Sequence, residues 1–214
     1  MSEQALRGEI VAVAQAIDRA GFCPSKSGNV SARFDGGLLI TPSGLPYAQT
    51  RPEDLIQLAL DGTVLSGARK PSSEWPFHVE IYRARPDAQA IVHTHSPRAT
   101  ALSCARRGIP AFHYMIALCG GADVRCADYA TFGSPELAAN AVTALEGRKA
   151  VLLANHGVIA LGGSLAGAHQ IAAEVENLAG QYLDILAAGL APVILDEEEM
   201  ARVSAKFAGY GKVG

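Results

Sequence analysis

The stretch Ala90-Ile91-Val92-His93-Thr94-His95-Ser96-Pro97 begins apolar, ends at a proline and carries two imidazoles two residues apart. With Gln89 and Ala88 before it, the run has the length and flanks of a buried strand. On a strand, residues i and i+2 point to the same face, so His93 and His95 project side by side. That is what a single metal ion asks of two neutral imidazoles, each reaching about 2.0–2.1 Å to zinc. The pair alone also fits two unrelated histidines, so the other four histidines of the chain decide its weight.

His156 is the strongest third candidate. It interrupts the apolar stretch KAVLLANHGVIAL (149–161), where a bare imidazole is costly to bury unless something satisfies it. Gly157 beside it permits a backbone that aims a side chain into a cleft. The matching carboxylate is Glu74, in KPSSEWPFHVE (70–80), which follows Ser72 and Ser73 at the mouth of a predicted helix. Three histidines with an open position are the pattern of a catalytic zinc site, and histidine-rich donors disfavour Mg²⁺ and Ca²⁺. His78, His113 and His169 read as ordinary polar residues.

Outward from this centre, helix and strand signals alternate. Residues 4–20 space Leu6, Ile10, Val13 and Ile17 as a helix that stops at Gly21. GNVSARF and GLLITPSG read as two strands joined by Asp35-Gly36-Gly37, and Asp61-Gly62 marks another hairpin in EDLIQLALDGTVLSG. Ser72 or Ser73 is expected to cap a helix to about Arg85, with Pro76 in its first turn. Further helices are expected over 97–107, from a Ser134 cap to about Leu145, over about 164–188, and from near Asp196. KAVLLANHGVIAL reads as two strands broken at Asn155-His156-Gly157. The expected fold is α/β, a single domain over 1–214 with three layers, α/β/α, around a mostly antiparallel central sheet.

The chain is 214 residues, 49% hydrophobic, with a formal net charge of -3. No Lys/Arg block is present, so neither nucleic acid nor an anionic membrane is an expected partner. The N-terminus lacks the basic-then-apolar pattern of a signal peptide, which predicts a cytoplasmic protein. The four cysteines, Cys23, Cys104, Cys119 and Cys126, are then expected to be free, small buried hydrophobes. SGNVS (27–31), TPSG (41–44) and the Ser72-Ser73 pair offer hydroxyls and turn N–H groups, the material of an anion nest.

These segments, SGNVSARF, LLITPSGLPY, KPSSEWPFH, AIVHTHSPRATALS, IPAFHYMIALCGG, YATFGSPELA, KAVLLANHGVIALG and AKFAGYG, resemble in order and spacing the class II aldolase/adducin family over nearly the whole chain. The resemblance implies a homotetramer with active sites between subunits, one Zn²⁺ in each. It implies His93, His95 and His156 as metal ligands, with Glu74 a further ligand that swings away to act as base. It implies phosphate binding by Gly28 and Asn29, by Ser43 and Gly44, and by Ser72 and Ser73. Tyr114 would enter from a neighbouring subunit as proton donor, Phe132 would line the aldehyde pocket, and Phe207 with Tyr210 would close over it.

The implied reaction is reversible retro-aldol cleavage of a ketose 1-phosphate, L-fuculose 1-phosphate or a related deoxy-sugar phosphate. Its products would be dihydroxyacetone phosphate and an aldehyde such as lactaldehyde. No lysine is needed for an imine. Ribulose-phosphate 4-epimerases of the same family resemble SSDTPTH where this chain reads SSEWPFH, so Glu74 favours cleavage while Pro76 resembles the epimerases. Lys26 stands where the aldolases usually carry a small hydroxyl residue. Sugar-acid phosphate decarboxylases, a metal hydrolase and a non-catalytic adducin-like scaffold are the remaining alternatives.

Overall fold

A computed structural model describes residues 2–209. Its first helix, α1 (Glu3–Arg19), opens at Ser2, whose hydroxyl accepts from the Ala5 N–H, and closes before Gly21 at φ +76°. Strands β1 (Asn29–Phe34) and β2 (Gly37–Ile40) follow. Asp35 and Gly36 both turn through positive φ between them, as a two-residue hairpin of this hand requires. β3 (Ile56–Leu58) and β4 (Val64–Ser66) form the second predicted hairpin. Next come α2 (Trp75–Ala84), β5 (Ala90–Thr94), α3 (Pro97–Cys104), β6 (Ile109–Pro110) and β7 (Asp123–Ala127). α4 (Pro135–Ala144), β8 (Ala150–Leu153), β9 (Gly157–Gly162), α5 (Leu165–Ala187) and α6 (Glu197–Gly209) complete the order.

The strands form one mixed sheet, β4-β3-β2-β1-β5-β9-β8-β7-β6, with the histidine strand β5 at its middle. Every pairing is antiparallel except β7 with β8. Side-chain alternation sorts the core into two clusters. Val30, Ala32, Leu39, Val92, Val158 and Ala160 pack with residues of α1, α3 and α5. The intervening Leu38, Ile40, Ile91, Val151, Ile159 and Leu161 pack with α2 and α4. Burial of each such Leu, Ile or Val contributes about 1.5–3 kcal/mol, so the period-2 pattern locks the register of β5 against β1 and β9.

Three local expectations are corrected. Neither serine caps α2: its N-cap is Glu74, while the Ser72 hydroxyl accepts from the Glu74 N–H at 3.3 Å, so the helix starts later than expected. α3 ends at Cys104 because Arg106 adopts φ +51°, which no helix continues. Of the four free cysteines, Cys23 and Cys119 are buried, Cys126 is half-buried and Cys104 is exposed at the end of α3. Burial, aided by nearby acidic groups, pushes the Cys23 and Cys119 thiols up to about 12, so both are inert. Among the described residues, no helix is long and apolar enough to cross a membrane.

Candidate metal centre

Three elements bring the cluster together. His93 is the last residue of β5 paired on both sides, with Asn29 on one and Ile159 on the other. His95 lies just past the ladder, its backbone N–H donating to Phe22 O at 2.9 Å. His156 ends the β8–β9 turn, where Asn155 at φ +55° and a bond from the His156 N–H to Leu153 O reverse the chain. The three rings lie 4.8–4.9 Å apart, each pair close to perpendicular. Gly157 serves this packing in a different way from the one anticipated: a Cβ there would stand 2.4 Å from Thr94 O and 3.1 Å from the His95 ring, so β9 could not close on β5.

Glu74 completes the group from the start of α2. Its Oε1 is 3.0 Å from His156 Nε2 and its Oε2 is 3.1 Å from His93 Nε2. The four ligand atoms all lie within 4.8 Å of one another. His93 donates from Nδ1 to Val158 O at 2.9 Å, which leaves the lone pair on Nε2. That lone pair faces His95 Nε2 at 3.1 Å and a carboxylate oxygen. Glu74 Oε1 is buried with no hydrogen-bond donor. Acceptors converging on one point are repulsive unless a cation or protons stand between them, and the N₃O donor set suits a borderline transition ion. The residues fit a metal.

Burial opposes ionisation of Glu74, but where protons take a cation's place between the groups the attraction of His93 and His156 wins and holds its carboxyl below the usual range. Burial and the neighbouring imidazoles push His95 down to about 3, and burial does the same to His78. A depressed folded pKa gives stability that is present above the unfolded value of 6.5 and lost as pH falls toward 3. Metal-free protein is therefore expected to lose about 2 kcal/mol through His78 alone between pH 7 and pH 5. Denaturant melts at the two pH values measure it, and equal stabilities would contradict the buried neutral ring.

Above the cluster opens a cleft of about 300 Å³, lined by Ser27, Gly28, Ser73, Glu74, His95, Tyr129, Ala130, Phe132 and His156. Gly28 is at φ +93°, and a Cβ there would meet His93 O at 2.7 Å, so this turn rides directly on the histidine strand. Phe132 is 65% exposed at the rim, beside Tyr129. The Ser43–Gly44 turn does not line the cleft but is tied to the loop that does: Ser43 N–H donates to Lys70 O, and Ser72 N–H to Thr41 O. Lys26, exposed at φ +65°, adjoins Ser27 at the mouth.

Two expected residues stand elsewhere within one chain. Tyr114 and Phe207 stack at 6.3 Å and line a separate groove with Met115, Leu118 and Lys206. Tyr210 lies outside the described residues. Sequence reading missed two partners of the cluster, Asn29 as a side-chain donor to Glu74 and His78 behind it. The only signal for His78 was its spacing, four residues after Glu74 on the same helical face.

Residues 8–183 match the model of the class II aldolase and adducin N-terminal domain. The chain is 50% identical over 210 residues to the 5-methylthioribulose-1-phosphate/5-deoxyribulose-1-phosphate aldolase of Rhodospirillum rubrum, covering 98% of this chain and 94% of the relative. It is 43% identical over 211 residues to the L-fuculose phosphate aldolase of Escherichia coli K12, covering 99% and 98%. A solved L-fuculose 1-phosphate aldolase superposes with a TM-score of 0.92 at 41% identity over 97% of this chain and 98% of that one. The chain therefore belongs to the class II aldolase and adducin N-terminal domain family.

Proposed function

We propose that the chain is a zinc-dependent class II aldolase that cleaves a ketose 1-phosphate to dihydroxyacetone phosphate and an aldehyde with an apolar end. One observation carries the reading: a buried carboxylate faces three imidazole nitrogens at the floor of an open cleft. His93, His95, His156 and Glu74 hold the ion, which when bound supplies Lewis-acid stabilisation of the charge left as a bond beside a ketone breaks. Glu74 moves the proton on the carbon next to the ketone. The turn at Gly28–Asn29, with Ser72 and Ser73, takes the phosphate, the Ser43–Gly44 turn acting through the loop before Ser72 to which it is tied, and Lys26 adds a positive charge at its entry.

Tyr114 and Phe207 act on the site of a neighbouring copy, Tyr114 donating a proton to the aldehyde oxygen; their separation from the Glu74 cleft of their own chain supports this sharing. The whole chain is read as one α/β/α domain of a cytoplasmic homotetramer, in keeping with the two core clusters. Tyr129, Ala130 and Phe132 offer an apolar wall to the far end of the sugar, which favours a methyl or methylthio terminus.

Purified, zinc-loaded protein is expected to release dihydroxyacetone phosphate from L-fuculose 1-phosphate, 5-deoxyribulose 1-phosphate and 5-methylthioribulose 1-phosphate. The substrates with the more apolar ends should lead by about 10–200-fold in kcat/KM, the range one methylene in a pocket commands. L-Ribulose 5-phosphate is the control: epimer formed without release of the three-carbon phosphate would move the protein to the epimerase branch. Silence on all four would refute the aldolase reading.

A further inference from the structure

Behind Glu74 runs a file of buried polar side chains, and beyond the Gly28–Asn29 turn the reaction as described does not use it. Asn29 Nδ2 donates to Glu74 Oε2 at 2.9 Å. The Asn29 carbonyl oxygen is in turn paired with His78 Nε2. His78 Nδ1 lies 2.7 Å from the Ser31 hydroxyl, and Ser31 Oγ lies 2.9 Å from the Tyr82 hydroxyl. Tyr82, His78, Ser31 and Asn29 are each at most 2% exposed. They come from two adjoining elements, β1 and the inner face of α2, and the His78 ring is clamped by stacking on Phe77 at 4.6 Å.

The hydrogen-bond inventory permits one polarity. An ionised carboxylate only accepts, so Asn29 must turn its amide nitrogen to Glu74 and its oxygen away. That oxygen requires a donor, so His78 carries its proton on Nε2. His78 Nδ1 then accepts from Ser31, and Ser31 accepts from Tyr82. Resting on the aldolase reading for its kinetic part, we propose that His78 is a positioning residue, which locks the Asn29 amide and through it the rotamer of the carboxylate that moves the substrate proton. Burial keeps the ring neutral, which suits a fixed single-tautomer strut. The second orientation of Asn29 would set its oxygen against Glu74 and so is closed while His78 donates from Nε2.

Three measurements test this. First, ¹⁵N spectra of the wild-type protein should show the His78 ring protonated at Nε2 and bare at Nδ1; the reverse tautomer overturns the proposal without any variant. Second, His78→Leu, which removes the donor, is expected to lower kcat by about 10–100-fold with KM within about twofold. His78→Gln, whose amide nitrogen can reach Asn29, should recover most of that loss. Equal losses in both variants, or a Leu variant within twofold of wild type, overturn it. Third, Co²⁺ in place of the native ion should show visible bands that shift in His78→Leu and return in His78→Gln. Bands unchanged in His78→Leu count against the strut. This readout needs no turnover, so an aldolase reading that fails on the wild-type protein is told apart from a strut that fails.

Discussion

Glu74→Gln is expected to cut kcat for aldol cleavage by about 10²–10⁴-fold while secondary structure and metal content survive. The amide keeps the shape of the carboxylate and an oxygen for the Asn29 Nδ2 donor, and its nitrogen can face the His156 ring that now stands 3.0 Å from Oε1. What it cannot do is take a proton from carbon. Steady-state kinetics with metal analysis on the same sample separate these roles: lost metal would make Glu74 a structural ligand, and a kcat within tenfold of wild type would remove it as base. Mixing Glu74→Gln with Tyr114→Phe protomers extends the result. If Tyr114 serves a neighbour's cleft, hybrids contain sites with both groups intact and regain activity; if each chain acts alone, the mixture stays as inactive as its parents.

How much of this was legible in the sequence depended on whether a signal is local. The β5 strand and its paired histidines were, because a period of two fixes which side chains share a face. His156 was, because a polar interruption in an apolar run needs a reason. Helix boundaries were legible where one side chain decides them, as at Ser134 and Ser164, whose hydroxyls accept from Leu137 and Gly167. They were not where tertiary geometry overrides the cap, as at α2, where Ser72 is drawn off to the Glu74 N–H and Glu74 itself takes the N-cap.

The inner partners were illegible for the same reason. Asn29 reads as a turn residue beside Gly28, and only the pairing of β1 with β5 sets Asn29 opposite His93 and beside Glu74. His78 reads as a polar residue on an amphipathic helix until the sheet behind α2 supplies Ser31 and Asn29. Gly157 shows a residue correctly singled out for a different reason: the need is room for a neighbouring strand.

Removing the metal is the second large effect. Exhaustive chelation is expected to lower aldolase activity by at least about 10³-fold, since several kcal/mol of charge stabilisation disappear with the ion. The lone pairs then left facing one another, His93 Nε2 against His95 Nε2 at 3.1 Å and against Glu74 Oε2, have to be relieved by protons or by movement of Glu74. The metal-free protein should accordingly melt earlier, and an ion at a thousand times its Kd should restore about 4 kcal/mol. Three nitrogens and one carboxylate predict which ions rescue: Zn²⁺ and Co²⁺ restore turnover, whereas Mg²⁺ and Ca²⁺, which seek oxygen ligands, do not. His93→Ala should behave as the chelated enzyme and resist rescue, because among the described residues the cluster holds only Glu74, His95 and His156 besides His93 and offers no substitute donor. Full activity in a sample shown to be free of metal would refute the metal centre itself, since among the described residues no lysine lines the cleft beside Glu74 and the histidines, Lys26 standing only at its mouth.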